Sequence, residues 1–200
     1  MLTTTLRLLR EYYACKDRYR HLCKKLGGAG KYGYDTPIRF DDLLDMNGLD
    51  DTLWALRAVM PGQEKYRDFI ARMFAANCSE HVLPLYEQKY PNGLVRLCIE
   101  ASKNFAHGRI TPEELAAAMA AAWDAARAAR ADGDAAAANA AAAAARAATW
   151  AATSSATRAA AYAANAAAAA TWDAEQTWQA ELLRKMLNWE APPDNVKILD

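Results

Sequence analysis

No excess of charge of either sign marks this 200-residue sequence, in which Lys+Arg and Asp+Glu stand at 24 each. A generic nucleic-acid binder needs surplus cations to release the counterions of the phosphate backbone, so the balance argues against nucleic acid as a direct target. It argues equally against an acidic mimic of DNA. Long hydrophobic runs are also missing. The least polar stretch, Ala135 to Ala148, is broken by Asn139 and Arg146 and is made of a weak hydrophobe, too short and too weakly apolar to span a bilayer. Leu2-Thr3-Thr4-Thr5-Leu6-Arg7 sets no basic region before an apolar run, so no signal peptide is expected. Cysteine is sparse, with Cys15, Cys23, Cys78 and Cys98 only. Cys15 and Cys23 fall on what reads as a single helix, about 12 Å apart along its axis, too far to pair. Free thiols and a cytoplasmic location are the expectation.

What is present is helical periodicity. Six Trp, nine Tyr and a 53% hydrophobic content are incompatible with disorder. Leu8, Tyr12, Cys15, Tyr19, Leu22 and Leu26 recur in steps of four and three, one apolar stripe that Gly27-Gly28 ends. A loop through Gly30, Gly33 and Pro37 leads to two short helices. Asp41 caps the first, Asn47-Gly48 stops it, Asp50 or Asp51 caps the second and Pro61-Gly62 closes it. Tyr66, Phe69, Ile70, Met73 and Phe74 mark a longer helix reaching Tyr90, disturbed at Pro84. Leu94, Leu97, Cys98, Ala101 and Phe105 line the next. Thr111-Pro112-Glu113-Glu114 is a capping box with proline at the first helical position.

From Ala116 to Ala180 alanine fills 38 of 65 positions, so helix propensity alone makes this region helical. Asp132-Gly133-Asp134 and Thr153-Ser154-Ser155 divide it into three helices, and a weak repeat runs from Asn139 to Thr149-Trp150 and from Asn165 to Thr171-Trp172. Alanine faces allow close approach of helices, with Trp123, Trp150, Tyr162, Trp172 and Trp178 as anchors, and leucine at Ala142 or Ala167 is expected to overpack them. The predicted fold is all-α, a multi-helix bundle with an alanine-rich, closely packed C-terminal half. Its parts are a basic N-terminal helix and loop (1–34), a helical subdomain (35–110), the alanine-rich bundle (111–188) and a flexible tail (189–200), within one compact domain.

No catalytic constellation emerges. Cys78 and His81 share a helix face, with His21 and Cys23 as a possible second pair, and zinc accepts such ligands. Isolated cysteines in amphipathic helices more often serve as small apolar residues, and nothing marks an activated thiolate or oxyanion hole. Gly27-Gly28-Ala29-Gly30-Lys31 follows a helix rather than a strand and lacks the spacing of a phosphate loop, so it reads as a turn. No enzyme, metal or cofactor is expected. Arg10, Lys16, Arg20, Lys24, Lys25 and Lys31, interleaved with tyrosines, offer a nucleic-acid-binding alternative. Residues 35–51, however, hold six aspartates against Arg39 alone, and charge complementarity between the two runs explains both.

Three stretches resemble the alanine-rich immunity proteins of bacteria and prophages. They are Arg39-Phe40-Asp41-Asp42-Leu43-Leu44 through Asn47-Gly48-Leu49-Asp50-Asp51 to Leu53-Trp54-Ala55-Leu56-Arg57, then His81-Val82-Leu83-Pro84-Leu85-Tyr86-Glu87-Gln88-Lys89-Tyr90-Pro91, and Ile110-Thr111-Pro112-Glu113-Glu114-Leu115 with the closing Trp178-Gln179-Ala180-Glu181-Leu182-Leu183. The resemblance covers roughly residues 35–187. It implies a non-enzymatic inhibitor that neutralises a protein partner by steric occlusion, a toxin in the polymorphic-toxin setting. The alternative it leaves open is a phage anti-defence protein, such as an anti-CRISPR acting on a host defence effector. Recognition residues gather on short elements over a rigid scaffold, which places the partner site at Asp41, Asp42, Asp45, Asp50, Asp51, Trp54 and Arg57.

Overall fold

The computed structural model describes residues 1–151 and 172–188. The Thr153–Ser155 break, Tyr162, the second repeat from Asn165, Ala167 and the 189–200 tail lie outside the described residues, as do the side chains of Trp150 and Trp172. Ten α-helices are described: α1 (Leu6–Glu11), α2 (Lys16–Lys25), α3 (Ala29–Tyr32), α4 (Phe40–Asn47), α5 (Leu49–Ala55), α6 (Glu64–Glu87), α7 (Leu94–Ala106), α8 (Pro112–Ala131), α9 (Ala135–Ala151) and α10 (Trp172–Leu187). The fold is an all-α multi-helix bundle. Among the described residues no helix is long and apolar enough to cross a membrane.

Helix α9 lies against α6, α7 and α8. Ala140 to Ala145 are each at most 2% exposed, so the middle of α9 is covered on all sides and forms the central rod of the bundle. Its start is fixed by Asp134, whose carboxylate accepts from Ala137 N at 2.9 Å. The capping box opens α8 as read: Thr111 Oγ1 accepts from Glu114 N at 3.3 Å while Glu114 Oε2 accepts from Thr111 N at 2.8 Å. Helix α6 continues through Pro84 to Glu87. Helix α10 packs on α4, α5 and α6 through Leu183, Met186 and Leu187.

Four local expectations give way. The apolar stripe from Leu8 to Leu26 is two helices rather than one. Helix α1 ends in a Schellman closure, with Tyr13 N bonding Arg10 O at 3.0 Å and Ala14 N bonding Leu9 O at 2.9 Å. That closure needs a left-handed residue, and Tyr13 supplies it at φ 61 in place of the usual glycine. The corner turns Tyr12, Tyr13 and Cys15 outward.

The caps of the short helices also differ. Helix α4 begins at Phe40 behind Arg39, leaving Asp41 inside the first turn, and α5 begins behind Gly48, leaving Asp50 and Asp51 there. Gly48, at φ 83, ends α4 and starts α5 at one residue, a left-handed conformation that excludes a side chain at little strain.

In α7 the buried face is Val95, Cys98, Ile99, Ser102, Phe105 and Ala106, whereas Leu94 and Leu97 are exposed. The helix is apolar on more than one side, and its contacts with α6, α8 and α9 select the face. The fourth difference is a short antiparallel pair in which Thr3 and Thr4 oppose Arg39 and Ile38. Thr3 N also donates to Gln63 Oε1 at 2.8 Å and Thr4 Oγ1 to Ala58 O at 2.5 Å, so residues 2–4 form a strap across the entrance to α6.

Candidate partner-binding surface

Helices α4 and α5 carry the acidic segment, and Gly48 bends it so that the expected site residues divide between two faces. Asp42 and Asp45 border a depression beside Leu26, Tyr32 and Met46. Asp50, Asp51 and Trp54 line a separate cleft of about 250 Å³ between α1–α2 and α4–α5. Asp41 and Arg57 serve their neighbours. Arg39 Nε donates to Asp41 Oδ1 at 2.8 Å, and that hydrogen bond holds the Asp41 carboxyl below its usual range. Arg57 Nε donates to Trp54 O at 2.9 Å and its guanidinium lies 4.8 Å from the Trp54 ring, fixing that ring by a cation–π contact.

The complementarity of the basic and acidic runs is partial. Arg7 takes Asp35 through two bonds of 2.5 and 2.8 Å, and Arg18 takes Asp51 at 2.6 Å. Asp45 pairs instead with Arg184 of α10. Asp42 and Asp50 are exposed and make no ion pair among the described residues. Each sits in the first turn of its helix, where the dipole favours an anion, and its carboxylate remains open to solvent.

The cleft has aliphatic walls from Leu9, Leu22 and Leu43, with Arg18, Asp50 and Trp54 at its rim. Asn47 lines it, only 7% exposed. Its amide Nδ2 donates to Asp51 Oδ2 at 2.7 Å and to Arg18 O at 3.2 Å, which fixes the orientation of the group. Its Oδ1 is buried with no hydrogen-bond partner among the described residues, and so is Tyr19 Oη. Burial, and then the neighbouring Cys23, holds the Tyr19 phenol above its ordinary range. Arg18, Tyr19 and Asn47 were missed as site residues in the sequence. The four- and three-residue steps Leu43, Asn47, Asp51 and Trp54 carry the only signal, and Asn47 reads there as a helix stop.

The cations of the nucleic-acid alternative, Arg10, Lys16, Arg20, Lys24, Lys25 and Lys31, are all exposed. Arg10 lies 6.0 Å from the Tyr34 ring and Arg20 pairs with Asp17 at 3.4 Å. Lys24 and Lys25 sit in the last turn of α2, where cations offset the helix dipole.

At Cys78 and His81 the geometry is that of a joint between helices. Cys78 is fully buried, and burial raises its thiol well above the ordinary range, which disfavours the thiolate. His81 Nδ1 lies 2.7 Å from Glu175 Oε2, and its ring stacks on Trp178 with centroids 3.8 Å apart and an angle of 8°. Glu175 is 2% exposed, and its other oxygen accepts from Gln179 Nε2 at 2.9 Å. No group of three or more metal-ligating side chains occurs among the described residues. This cluster fastens α10 to α6, and Glu175 and Gln179 gave no sequence signal because a buried carboxylate reads as a surface residue.

Comparison with known proteins finds one family model, described as "Imm-5 like putative immunity protein", matching residues 64–186. No curated protein matches the chain, and no solved structure does.

Proposed function

The chain belongs to the Imm-5 like putative immunity protein family, and from that membership we propose that it neutralises a toxin by binding and covering it, without chemistry of its own. Family membership carries the reading. The rigid bundle supports it, because a preformed scaffold presents recognition groups at low entropic cost. The charged surface supports it as well: Asp42 and Asp50 are exposed carboxylates with no ion pair among the described residues, and the Arg57-braced Trp54 is the aromatic type that anchors interfaces. The binding face is the α4–α5 surface, with Asp42 and Asp45 on one side and Asp50 and Trp54 on the other.

The test is co-expression with candidate toxins, taken first from genes neighbouring its own. Growth restored by the intact chain, with a stable complex on size-exclusion chromatography, is the expected result. Charge reversal at both Asp42 and Asp45 (D42K, D45K) then slows association and changes its salt dependence, because exposed carboxylates steer encounter. Their loss leaves folding nearly unchanged, since the Asp45–Arg184 pair is exposed on both sides (62% and 44%). A chain that neither binds nor protects refutes the immunity reading. Unaltered association by the double variant moves the site off this surface.

A further inference from the structure

The cleft between α1–α2 and α4–α5 is lined by two carboxylates, Asp50 and Asp51, against one cation, Arg18. Arg18 and Asp51 neutralise each other at 2.6 Å, so Asp50 leaves the site with a net negative charge. Asn47 Oδ1 is buried with no donor among the described residues, and its amide cannot flip to supply one, because Asp51 Oδ2 already holds Nδ2 at 2.7 Å. Between these polar groups the walls are aliphatic. A volume of about 250 Å³ falls below the roughly 300–1,000 Å³ of small-molecule pockets and suits a single long side chain.

We propose that this cleft is the socket for one cationic side chain, a lysine or arginine, projected by the protein partner. Such a side chain buries its methylene stem along apolar surface and keeps its head among acceptors, and its head has donors only. The stem lies between Leu22, Leu43 and the Trp54 ring. The head reaches Asp50, and a shift of the Asn47 side chain would bring its buried Oδ1 to the same donor. An anion would be repelled by Asp50, and a neutral aliphatic chain would leave the buried oxygen unpaired.

At the α1–α2 corner, Tyr13 is 90% exposed, next in the chain to cleft-lining Ala14 and Cys15. Tyrosine is enriched among residues that dominate interfaces. The cleft lies wholly on residues 9–55, outside the 64–186 stretch that the family model matches. That the occupant comes from a toxin rests on the immunity reading; the chemistry of the cleft does not.

Nα-acetyl-arginine amide, Nα-acetyl-lysine amide and Nα-acetyl-norleucine amide, titrated into the ¹⁵N-labelled full chain, test the socket. The readouts are the Trp54 indole N–H, assigned with W54F, and the Asn47 side-chain amide. Saturable shifts at both groups with the cationic amides are expected. Norleucine amide, and either cationic amide on D50N, should bind about three- to fivefold more weakly, the range for one partly exposed ion pair. Asp50 makes no ion pair among the described residues, so a matching thermal melt establishes that D50N is intact. Absence of saturable shifts, equal binding of norleucine amide, or undiminished binding to D50N overturns the inference. A chain that protects against its toxin yet fails this titration retains the immunity reading and loses the socket. One that binds the amides but no toxin does the reverse.

Discussion

Replacing Ala142 with leucine should destabilise the protein although leucine is the more hydrophobic residue. Ala142 is 2% exposed in the middle of α9, and Ala140 to Ala145 are covered on every side. Three added carbons would contribute about 2 kcal/mol of favourable transfer if space existed for them. No rotation of the helix takes the side chain to solvent, because no face in this stretch is open. The neighbouring helices must therefore move apart, which costs about 1–3 kcal/mol net in a well-packed core. For a chain of this size the melting temperature should fall by about 2–12 °C. Urea and thermal unfolding of A142L beside A136L measure it, since Ala136 is exposed near the start of the same helix. The control should stay within about 0.5 kcal/mol of the parent. A142G should also lose about 1–2 kcal/mol, from propensity and a lost methyl. Unchanged or raised stability in A142L would show that α9 is not enclosed and would undo the packing argument.

Alkylation with iodoacetamide should modify exposed Cys15 first and leave Cys78 and Cys98 protected until the chain unfolds, because burial raises both thiols, Cys98 to about 12. Peptide mass spectrometry across a urea series reads this, and early labelling of Cys78 would contradict it. His81→Ala should cost roughly 2–4 kcal/mol, since it removes the Trp178 stack and leaves the buried Glu175 carboxylate short of a partner. A loss below 1 kcal/mol in chemical unfolding would show that the joint is not structural. Thr111→Ala should cost about 1 kcal/mol by breaking the capping box, and a Thr111→Ser variant should recover most of it in the same measurement.

Helix existence was legible wherever a local signal acted alone. The capping box at Thr111, the break at Asp132-Gly133-Asp134 and the alanine-driven helices needed nothing beyond the chain's own neighbours. Register and interruption were less legible. The face of α7 depends on which of its apolar sides meets three other helices, and periodicity offers several. The α1–α2 corner depends on a tyrosine in a conformation that glycine usually supplies, so nothing in the residue types announces it. At the candidate surface, Asp50 and Trp54 were readable as charge and aromatic content on short elements. Asn47, Tyr19 and Arg18 were not, because their significance is an unmet hydrogen bond and a shared cleft, created only when α2 meets α4.

The strap at residues 2–4 bears on the order in which the molecule can be assembled. Thr3 is held by Gln63, 60 positions later, and Asp45 is reached by Arg184, 139 positions later. As the chain leaves the ribosome, residues 2–4 can pair with Ile38 and Arg39 early, but they must wait for the start of α6 before Gln63 completes the strap. Helices α1 to α5 wait for the whole of α9 before α6 acquires its buried neighbour, and for α10 before α4 and α5 are backed by Leu183 and Met186. Early segments therefore have long-range partners, and a truncated product lacking α10 would carry every residue of the acidic surface without the support behind it.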